Sequence, residues 1–233
     1  RRVAAPAGAS AHAAPHERTS LRQSTAAATY CDAVVASAAR RLRGTVSSSS
    51  HLGSSVRIFV YDKEAWGRTR GIVMAHATLG RGVNPFKRFR FAMCVATHGH
   101  FGAVTAAQSL PRILFKVCTC SVLDPIQTTI DTLNRFQPEQ LGGYPTTLHE
   151  LAQASLEGKL DIRPTAISPG GEPLSDEAAI TIEKAWGVTP MEVYASSESM
   201  CLALRLPGRE GLTLMEGEHI FELSLIHISE PTR

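Results

Sequence analysis

The sequence lacks most of the features that would place it in a specialised class of protein. Its five cysteines include no C-x-x-C pair, which argues against a disulfide scaffold and against a zinc site; they are Cys31, Cys94, Cys118, Cys120 and Cys201. No apolar run approaches the roughly 20 residues that span a bilayer, and no basic-then-apolar amino terminus indicates a signal peptide. We therefore expect a soluble, cytoplasmic protein without a membrane partner.

The chain also has little excess of positive over negative charge. The formal net charge is +3 and no long block of Lys and Arg occurs, so we expect no nucleic-acid partner. What the chain does have is the composition of a globular protein, with 43% hydrophobic and 19% charged residues over 233 positions. That length suits one large or two small domains of roughly 100 to 200 residues each. Composition leaves the oligomeric state open.

The amino-terminal segment, residues 1–40, differs from the rest. Residues 1 to about 26 are rich in Ala, Arg, Ser and His and show little apolar periodicity, so we expect them to be loose. The spacing of Ala, Val and Leu predicts a helix from Thr29 to Arg43. The polar run from Ser47 to Ser50 then predicts a loop.

Beyond this loop, strand and helix patterns alternate. Strands are predicted at Val56–Tyr61, Phe91–Thr97, Ile113–Leu123, Pro164–Ser168 and Met191–Tyr194, and helices at Asp62–His76, Pro125–Phe136, Thr146–Leu156 and Ser175–Trp186. Capping residues at the helix starts support these boundaries. The alternation predicts an α/β fold, in which a mostly parallel sheet with flanking helices presents ligand loops at the carboxyl ends of its strands.

Two motifs follow short predicted strands and are separated by one helix. The first is Gly170-Gly171-Glu172-Pro173, whose glycines allow the backbone to approach a flat ligand, although a plain tight turn would have the same pattern. The second is Tyr194-Ala195-Ser196-Ser197-Glu198, which is also compatible with an ordinary helix cap. Together they predict a ligand site at one edge of the sheet.

With these motifs, the chain from about residue 41 to residue 222 resembles the phenylacetate-CoA ligase-like members of the adenylate-forming superfamily. Four segments carry the resemblance: Ile58–Asp62 after a serine-rich loop, Ala96–Phe101, Leu141–Pro145, and Ser168 through Glu198. The resemblance implies that residues 41–222 are a partial amino-terminal, AMP-binding domain. It also implies that a ribose-binding Asp and a small domain with a catalytic Lys are missing from this chain, which by itself would be inactive.

The resemblance assigns nucleotide and metal roles to the two motifs. The glycine loop, from Gly170 to Pro173, would border the adenine, and Tyr194 would stack on it, with Ala195 in place of the usual glycine and Ser196 beside it. Ser197 would meet the α-phosphate. Glu198 would hold Mg²⁺, because a hard cation prefers carboxylate oxygen.

The segment that would cradle the β- and γ-phosphates departs from the family pattern. Its candidate residues are Ser47, Ser48, Ser49, Ser50 and Gly53. His51 and Ser54 stand where the family has glycine, and a side chain at a positive-φ position costs roughly 1 kcal/mol. The departure makes a non-catalytic, nucleotide-binding remnant of the same fold the alternative function.

The acid substrate would lie near two further segments. His100 and Phe101 match the region where family members place a His or an aromatic residue beside the carboxylate. His98 and His100 also have the spacing of a metal pair on a strand, although no carboxylate or Cys completes a set nearby. Tyr144 and Pro145 would border the acyl pocket, or form a hairpin-like turn.

The reaction implied by the resemblance has two steps and uses ATP, Mg²⁺ and coenzyme A. A small-molecule carboxylic acid attacks the α-phosphate, and a thiol then takes the acyl group. Residues 223–233 do not follow the family. They correspond codon for codon to a translated transposon-end sequencing adapter, so we interpret them as a non-native tail rather than as a strand from Leu223 to Ile228.

Overall fold

A computed structural model describes residues 45–48, 58–77, 87–97, 102–196, 198–206 and 209–222. The strands are β1 (Thr45–Ser48), β2 (Ile58–Tyr61), β3 (Phe89–Val95), β4 (Phe115–Ser121), β5 (Gln140–Gly143), β6 (Ala166–Pro169), β7 (Val193–Tyr194), β8 (Ala203–Leu204) and β9 (Thr213–Leu214). The helices are α1 (Lys63–Ala77), α2 (Gly102–Gln108), α3 (Ile126–Phe136), α4 (Pro145–Leu156) and α5 (Asp176–Trp186). None of these helices is long and apolar enough to cross a membrane.

The central sheet has four parallel strands in the order β4-β3-β5-β6. Helices follow β4, β5 and β6 along the chain, so each crossover returns the chain to the same end of the sheet. The predicted α/β class, with a mostly parallel sheet and flanking helices, is therefore confirmed. A second, antiparallel sheet joins β7, β8 and β9, and β1 pairs with β2 as a third unit.

The main core lies between one face of the central sheet and helices α3, α4 and α5. Its members share nearly complete burial and include Ala92, Cys94, Leu133, Leu141, Leu148, Leu151, Ile167 and Ile182. Each fully buried Leu or Ile of this kind stabilises the fold by roughly 1.5–3 kcal/mol. On the other face, Phe91, Ala107, Leu110 and Phe115 form a smaller cluster.

The predicted helix caps are present. Asp62 accepts a hydrogen bond from the backbone N–H of Ala65 at 2.7 Å, and Ser175 accepts one from Ala178 at 3.2 Å. Both satisfy donors that a helix start leaves without intrahelical partners. The boundaries of α1, α3, α4 and α5 lie within a residue or two of the predicted ones.

Three local expectations were wrong or incomplete. Ser47 and Ser48 lie in strand β1, opposite Phe59 and Ile58, and not in a loop, because the backbone of β2 supplies hydrogen-bond partners. Ile113, predicted as the first residue of a strand, is 82% exposed, since it lies in the turn before β4. Helix α2 and strand β5 were not predicted as elements.

Several expectations concern residues outside the described ranges. They are the loose segment 1–26, the helix from Thr29 to Arg43, and the tail 223–233.

Candidate functional site

The glycine loop begins where β6 ends and lies between β5 and β7. The N–H of Gly170 donates to the carbonyl of Gly143 at 3.0 Å, and Gly170 also forms a parallel bridge with Val193. A Cβ on Gly170 would lie only 3.3 Å from the Val193 carbonyl oxygen. This bridge places the start of the glycine loop beside Val193, the residue that precedes Tyr194.

Gly171 is held against the ring of Tyr144. Its φ is +84°, a backbone conformation that favours glycine, and a Cβ there would lie 2.9 Å from Tyr144 Cε1. Tyr144 precedes Pro145, the first residue of α4. Tyr144 and Pro145 therefore form a strand-to-helix junction and not a hairpin turn.

Glu172 connects the glycine loop to the start of α4. Its Oε2 accepts hydrogen bonds from Thr146 Oγ1 at 2.8 Å and from the Thr146 backbone N–H at 3.4 Å. A carboxylate at a helix amino terminus is favoured by the free N–H groups and by the helix dipole. In this structure the carboxylate of Glu172 is thus engaged by α4, next to Tyr144, while Pro173 follows it toward α5.

The second motif leaves the sheet at Tyr194. Its carbonyl accepts a hydrogen bond from Leu202 at 2.8 Å, and its side chain is 59% exposed. Ser196 and Ser199 then close a tight turn, in which the Ser196 N–H donates to the Ser199 carbonyl at 2.8 Å and the Ser199 N–H donates to Ser196 Oγ at 3.2 Å. The described residues of this segment contain no helix, so the motif is not a helix cap.

Glu198, in that turn, lies close enough to Tyr61 for its charge to act on the phenol. Burial, and secondarily the carboxylate of Glu198, raise the pKa of Tyr61. Met200, two residues further on, packs against the cluster of Tyr61 and Trp66. The turn with Glu198 therefore lies over the end of β2, and the serine-rich segment joins β2 to β1.

Comparison with solved structures identifies the fold of this chain. An open conformation of 2-hydroxyisobutyryl-CoA ligase, in complex with 2-HIB-AMP and CoA, matches 68% of this chain with a TM-score of 0.51 and 21% identity. The anthranilate CoA ligase AuaEII, in complex with anthranoyl-AMP, matches 70% of it with a TM-score of 0.52 and 13% identity. The chain has the fold of adenylate-forming CoA ligases.

Sequence comparison gives a narrower match. Protein CapK of Staphylococcus aureus is 37% identical over 101 residues, which are 42% of this chain and 22% of that protein. No family model matches the chain. In the two solved ligases the match covers 38% and 31% of their length, so the chain spans well under half of an adenylate-forming ligase.

Within this adenylate-forming fold, the structure brings together part of the predicted site. At the carboxyl ends of β5, β6 and β7, Gly170 lies beside Val193, which precedes Tyr194, and Gly171 lies against Tyr144. The other predicted positions at this edge, His98, His100, Phe101 and Ser197, lie outside the described ranges, as do Ser49, Ser50 and Gly53 of the phosphate segment.

A contact that the sequence did not predict involves His219. Its Nε2 lies 2.8 Å from Ser199 Oγ, and its ring meets the Phe221 ring edge-on at 6.0 Å. The contact ties the segment after β9 to the turn of Ser196 and Ser199. An isolated His beyond a two-residue strand gives no sequence signal for this pairing.

Among the described residues, Glu198 could hold a magnesium ion only together with water and the phosphates of a bound nucleotide. Among the described ranges, no three His, Cys, Asp or Glu side chains are grouped so that they could hold a metal by themselves. Glu198 is exposed and makes no ion pair with another described residue. This suits Mg²⁺, which is commonly held by one or two carboxylates, by water and by the phosphates of a bound nucleotide.

Proposed function

We propose that the chain is part of an ATP-dependent, phenylacetate-CoA ligase-like enzyme that activates a small-molecule carboxylic acid. The observation that carries the proposal is the bridge between Gly170 and Val193, which sets the glycine loop beside Tyr194 at the carboxyl edge of the sheet. Ligands of α/β sheets bind at this edge. The fold is shared with ligases that were solved with acyl-adenylates, which supports this function.

The nucleotide would lie on the glycine loop. Gly170 and Gly171 present backbone without side chains, and the exposed ring of Tyr194 offers a flat apolar surface on which adenine can stack. Ala195 and Ser196 continue along the base toward the phosphates. Ser197 would donate to the α-phosphate, and Glu198 would hold Mg²⁺, which supplies positive charge to the phosphate oxygens.

The acid would approach from the side of Tyr144. Because the Tyr144 ring contacts Gly171, a substrate at that ring would lie next to the nucleotide. His100 and Phe101, together with Tyr144 and Pro145, would form its pocket. The carboxylate oxygen would form a bond to the α-phosphorus as the bond to pyrophosphate breaks. The thiol of coenzyme A would then lose its proton and take the acyl group from the acyl-adenylate, with AMP as the leaving group.

Glu172 enters this proposal with a changed role. The family resemblance places it at the adenine, whereas its hydrogen bonds go to Thr146. We assign it to positioning, since it holds the glycine loop against α4. The extent of the domain, residues 41–222, the cytoplasmic location and the absence of nucleic-acid partners belong to the same proposal.

The chain by itself should be inactive, so the test uses the full-length ligase that it would belong to. It measures acid-dependent exchange of radiolabelled pyrophosphate into ATP, with phenylacetate and other aryl acids supplied in turn. We expect exchange with at least one acid, and its loss in Glu198→Gln. Glu210→Gln removes the same charge at another exposed site and should leave exchange intact. Binding of ATP without exchange for any acid would overturn the ligase function and favour a non-catalytic nucleotide-binding protein.

A further inference from the structure

The turn that carries Glu198 lies beside a second turn, at the same end of the antiparallel sheet. Tyr194 ends β7 and Leu214 ends β9, and these two strands run in the same direction because β8 is antiparallel to both. Leu202 links the two ends, since its N–H donates to the Tyr194 carbonyl at 2.8 Å and its carbonyl accepts from the Met215 N–H at 2.9 Å. The residues that follow β7 and those that follow β9 are therefore neighbours.

The second turn fixes the position of His219. The backbone N–H groups of Glu218 and His219 both donate to the Met215 carbonyl, at 3.0 and 3.1 Å. The ring of Phe221 packs edge-on against the imidazole, and Glu218 Oε2 lies 4.0 Å from Arg68 Nη1 on α1. His219 is thus half-buried and is held by residues that belong to neither motif of the proposed site.

In its contact with Ser199, His219 is the hydrogen-bond donor. Nε2 of His219 lies 2.8 Å from Ser199 Oγ. A serine hydroxyl has a single proton, and that of Ser199 is directed to the Cys201 carbonyl at 3.4 Å. Because this proton is already used, the proton between the two side chains belongs to Nε2, which also fixes the tautomer of the ring.

Ser199 in turn sets the backbone around Glu198. Its N–H donates to Ser196 Oγ at 3.2 Å, and its carbonyl accepts from the Ser196 N–H at 2.8 Å. Glu198 is exposed and directly precedes Ser199, so the direction of its carboxylate depends on the conformation of this turn. A functional side chain keeps its geometry only when neighbouring residues hold it, and His219 provides such a contact from outside the turn.

We propose that His219 is a positioning residue, which holds the turn of Ser196 and Ser199 so that Glu198 faces the metal of a bound metal–nucleotide complex. The inference rests on the proposed function, because it takes Glu198 as the ligand of Mg²⁺. Replacing a residue that orients a metal ligand typically weakens metal binding by roughly 10- to 100-fold. A His that only stabilised the fold would have no selective effect on the metal.

The test compares the binding of two ligands to the full-length ligase that the chain would belong to. The complex of Mn²⁺ with ATP, followed by the Mn²⁺ electron paramagnetic resonance signal, reports on the metal site, and AMP without metal reports on the glycine loop and Tyr194. His219→Ala should weaken binding of Mn²⁺-ATP by roughly tenfold and leave the affinity for AMP unchanged. His219→Gln should restore binding of Mn²⁺-ATP, because its amide nitrogen can donate from the place of Nε2.

Two further variants test the partner and the specificity. Ser199→Ala removes the acceptor of the same hydrogen bond and should weaken binding of Mn²⁺-ATP as His219→Ala does, with little further loss in the double variant. His149→Ala removes another half-buried His, which contacts Gln153 within α4, and should bind both ligands like the wild type.

The outcomes separate this inference from the proposed function. Three results would overturn the inference alone: equal Mn²⁺-ATP affinity in His219→Ala and the wild type, equal loss of both ligands in His219→Ala, or no recovery in His219→Gln. A wild-type ligase that binds AMP but not Mn²⁺-ATP would overturn the metal role of Glu198 and the inference with it. A wild-type ligase that binds neither ligand would overturn the proposed function itself.

Discussion

At Gly171 the backbone conformation and the neighbouring ring both exclude a side chain. Gly158 has a similar φ of +75°, but a Cβ there meets nothing within 4 Å, which makes it a matched control. Gly158→Ala should cost about 1 kcal/mol of unfolding free energy from backbone strain alone. Gly171→Ala should cost about 1–3 kcal/mol more, because its methyl group would overlap the Tyr144 ring. Urea unfolding of both variants measures the difference.

Repeating both substitutions in a Tyr144→Leu variant isolates the contribution of the steric overlap with the Tyr144 ring. In Tyr144→Leu the ring is absent, so the extra cost of Gly171→Ala should largely vanish while the cost of Gly158→Ala stays the same. An equal cost of Gly171→Ala in both backgrounds would show that the ring does not lie on the glycine.

Residue types were easier to predict than residue partners. The Gly170-Gly171 pair and the Tyr-Ala-Ser-Ser-Glu motif stand out by their residue types alone. At Gly171 the φ of +84° explains why the residue is glycine. The contact of Glu172 with Thr146, and that of Ser199 with His219, join residues far apart in the chain. Only the packing of β5, β6 and β7 brings such residues together, so no local pattern announces them.

Among the elements, the hydrogen bond of Glu172 to the start of α4 gives a direct prediction. Glu172→Ala and Thr146→Ala should each lower the unfolding free energy by about 0.5–2 kcal/mol, because each leaves helix-terminal donors or a carboxylate without a partner. The double variant should cost less than the sum of the two, as expected for groups in contact. Strict additivity in thermal or urea unfolding would contradict the contact.

Elements with strong patterns and caps were predicted well, and those without them were missed. Helix α2 buries Gly102, Val104, Ala106 and Ala107, small residues that give little apolar periodicity. Strand β1 is rich in serine, and its strand conformation depends on pairing with β2. Tertiary partners therefore decided the elements that sequence patterns could not.

Glu139, which precedes β5, forms hydrogen bonds at the amino ends of β3 and β6 and so connects three of the four strands of the central sheet. Its Oε1 lies 3.1 Å from Lys87 Nζ, its Oε2 accepts from the Arg90 N–H at 3.1 Å, and its carbonyl accepts from Thr165 and Ala166. Burial would raise the pKa of this carboxyl, but the Arg90 N–H and the Lys87 ammonium outweigh it and lower the pKa. The carboxylate therefore stabilises the folded state above the ordinary Glu pKa of about 4.3.

The stabilisation should be lost as the pH falls through the lowered pKa of Glu139. We expect the difference in unfolding free energy between wild type and Glu139→Gln to be constant near neutral pH and to shrink below about pH 4. The matched control is Glu157→Gln, because the Glu157 side chain is 56% exposed in its ion pair with Lys159. Its difference in unfolding free energy from the wild type should be much smaller. A pH-independent difference for Glu139→Gln would contradict the ionic role.

For the molecule as a whole, the α/β class could be predicted from the sequence, and with it the edge at which the proposed site lies. The alternation of elements requires a parallel sheet, and a parallel sheet places its loops at one edge. In the antiparallel unit, β7 was predicted within the strand Met191–Tyr194. Strands β8 and β9 were not, because two residues have no periodicity of their own.

The central claim is that a nucleotide binds where the glycine loop meets Tyr194, and equilibrium binding of AMP tests it most directly. Tyr194→Ala should weaken AMP binding by about 1–3 kcal/mol, the range expected for loss of one base–aromatic stack, or roughly fivefold to a hundredfold in Kd. Ile113→Ala, which truncates another exposed apolar side chain, should bind AMP like the wild type. Saturable binding with this contrast is the predicted result; equal AMP affinity in Tyr194→Ala and the wild type would contradict the account.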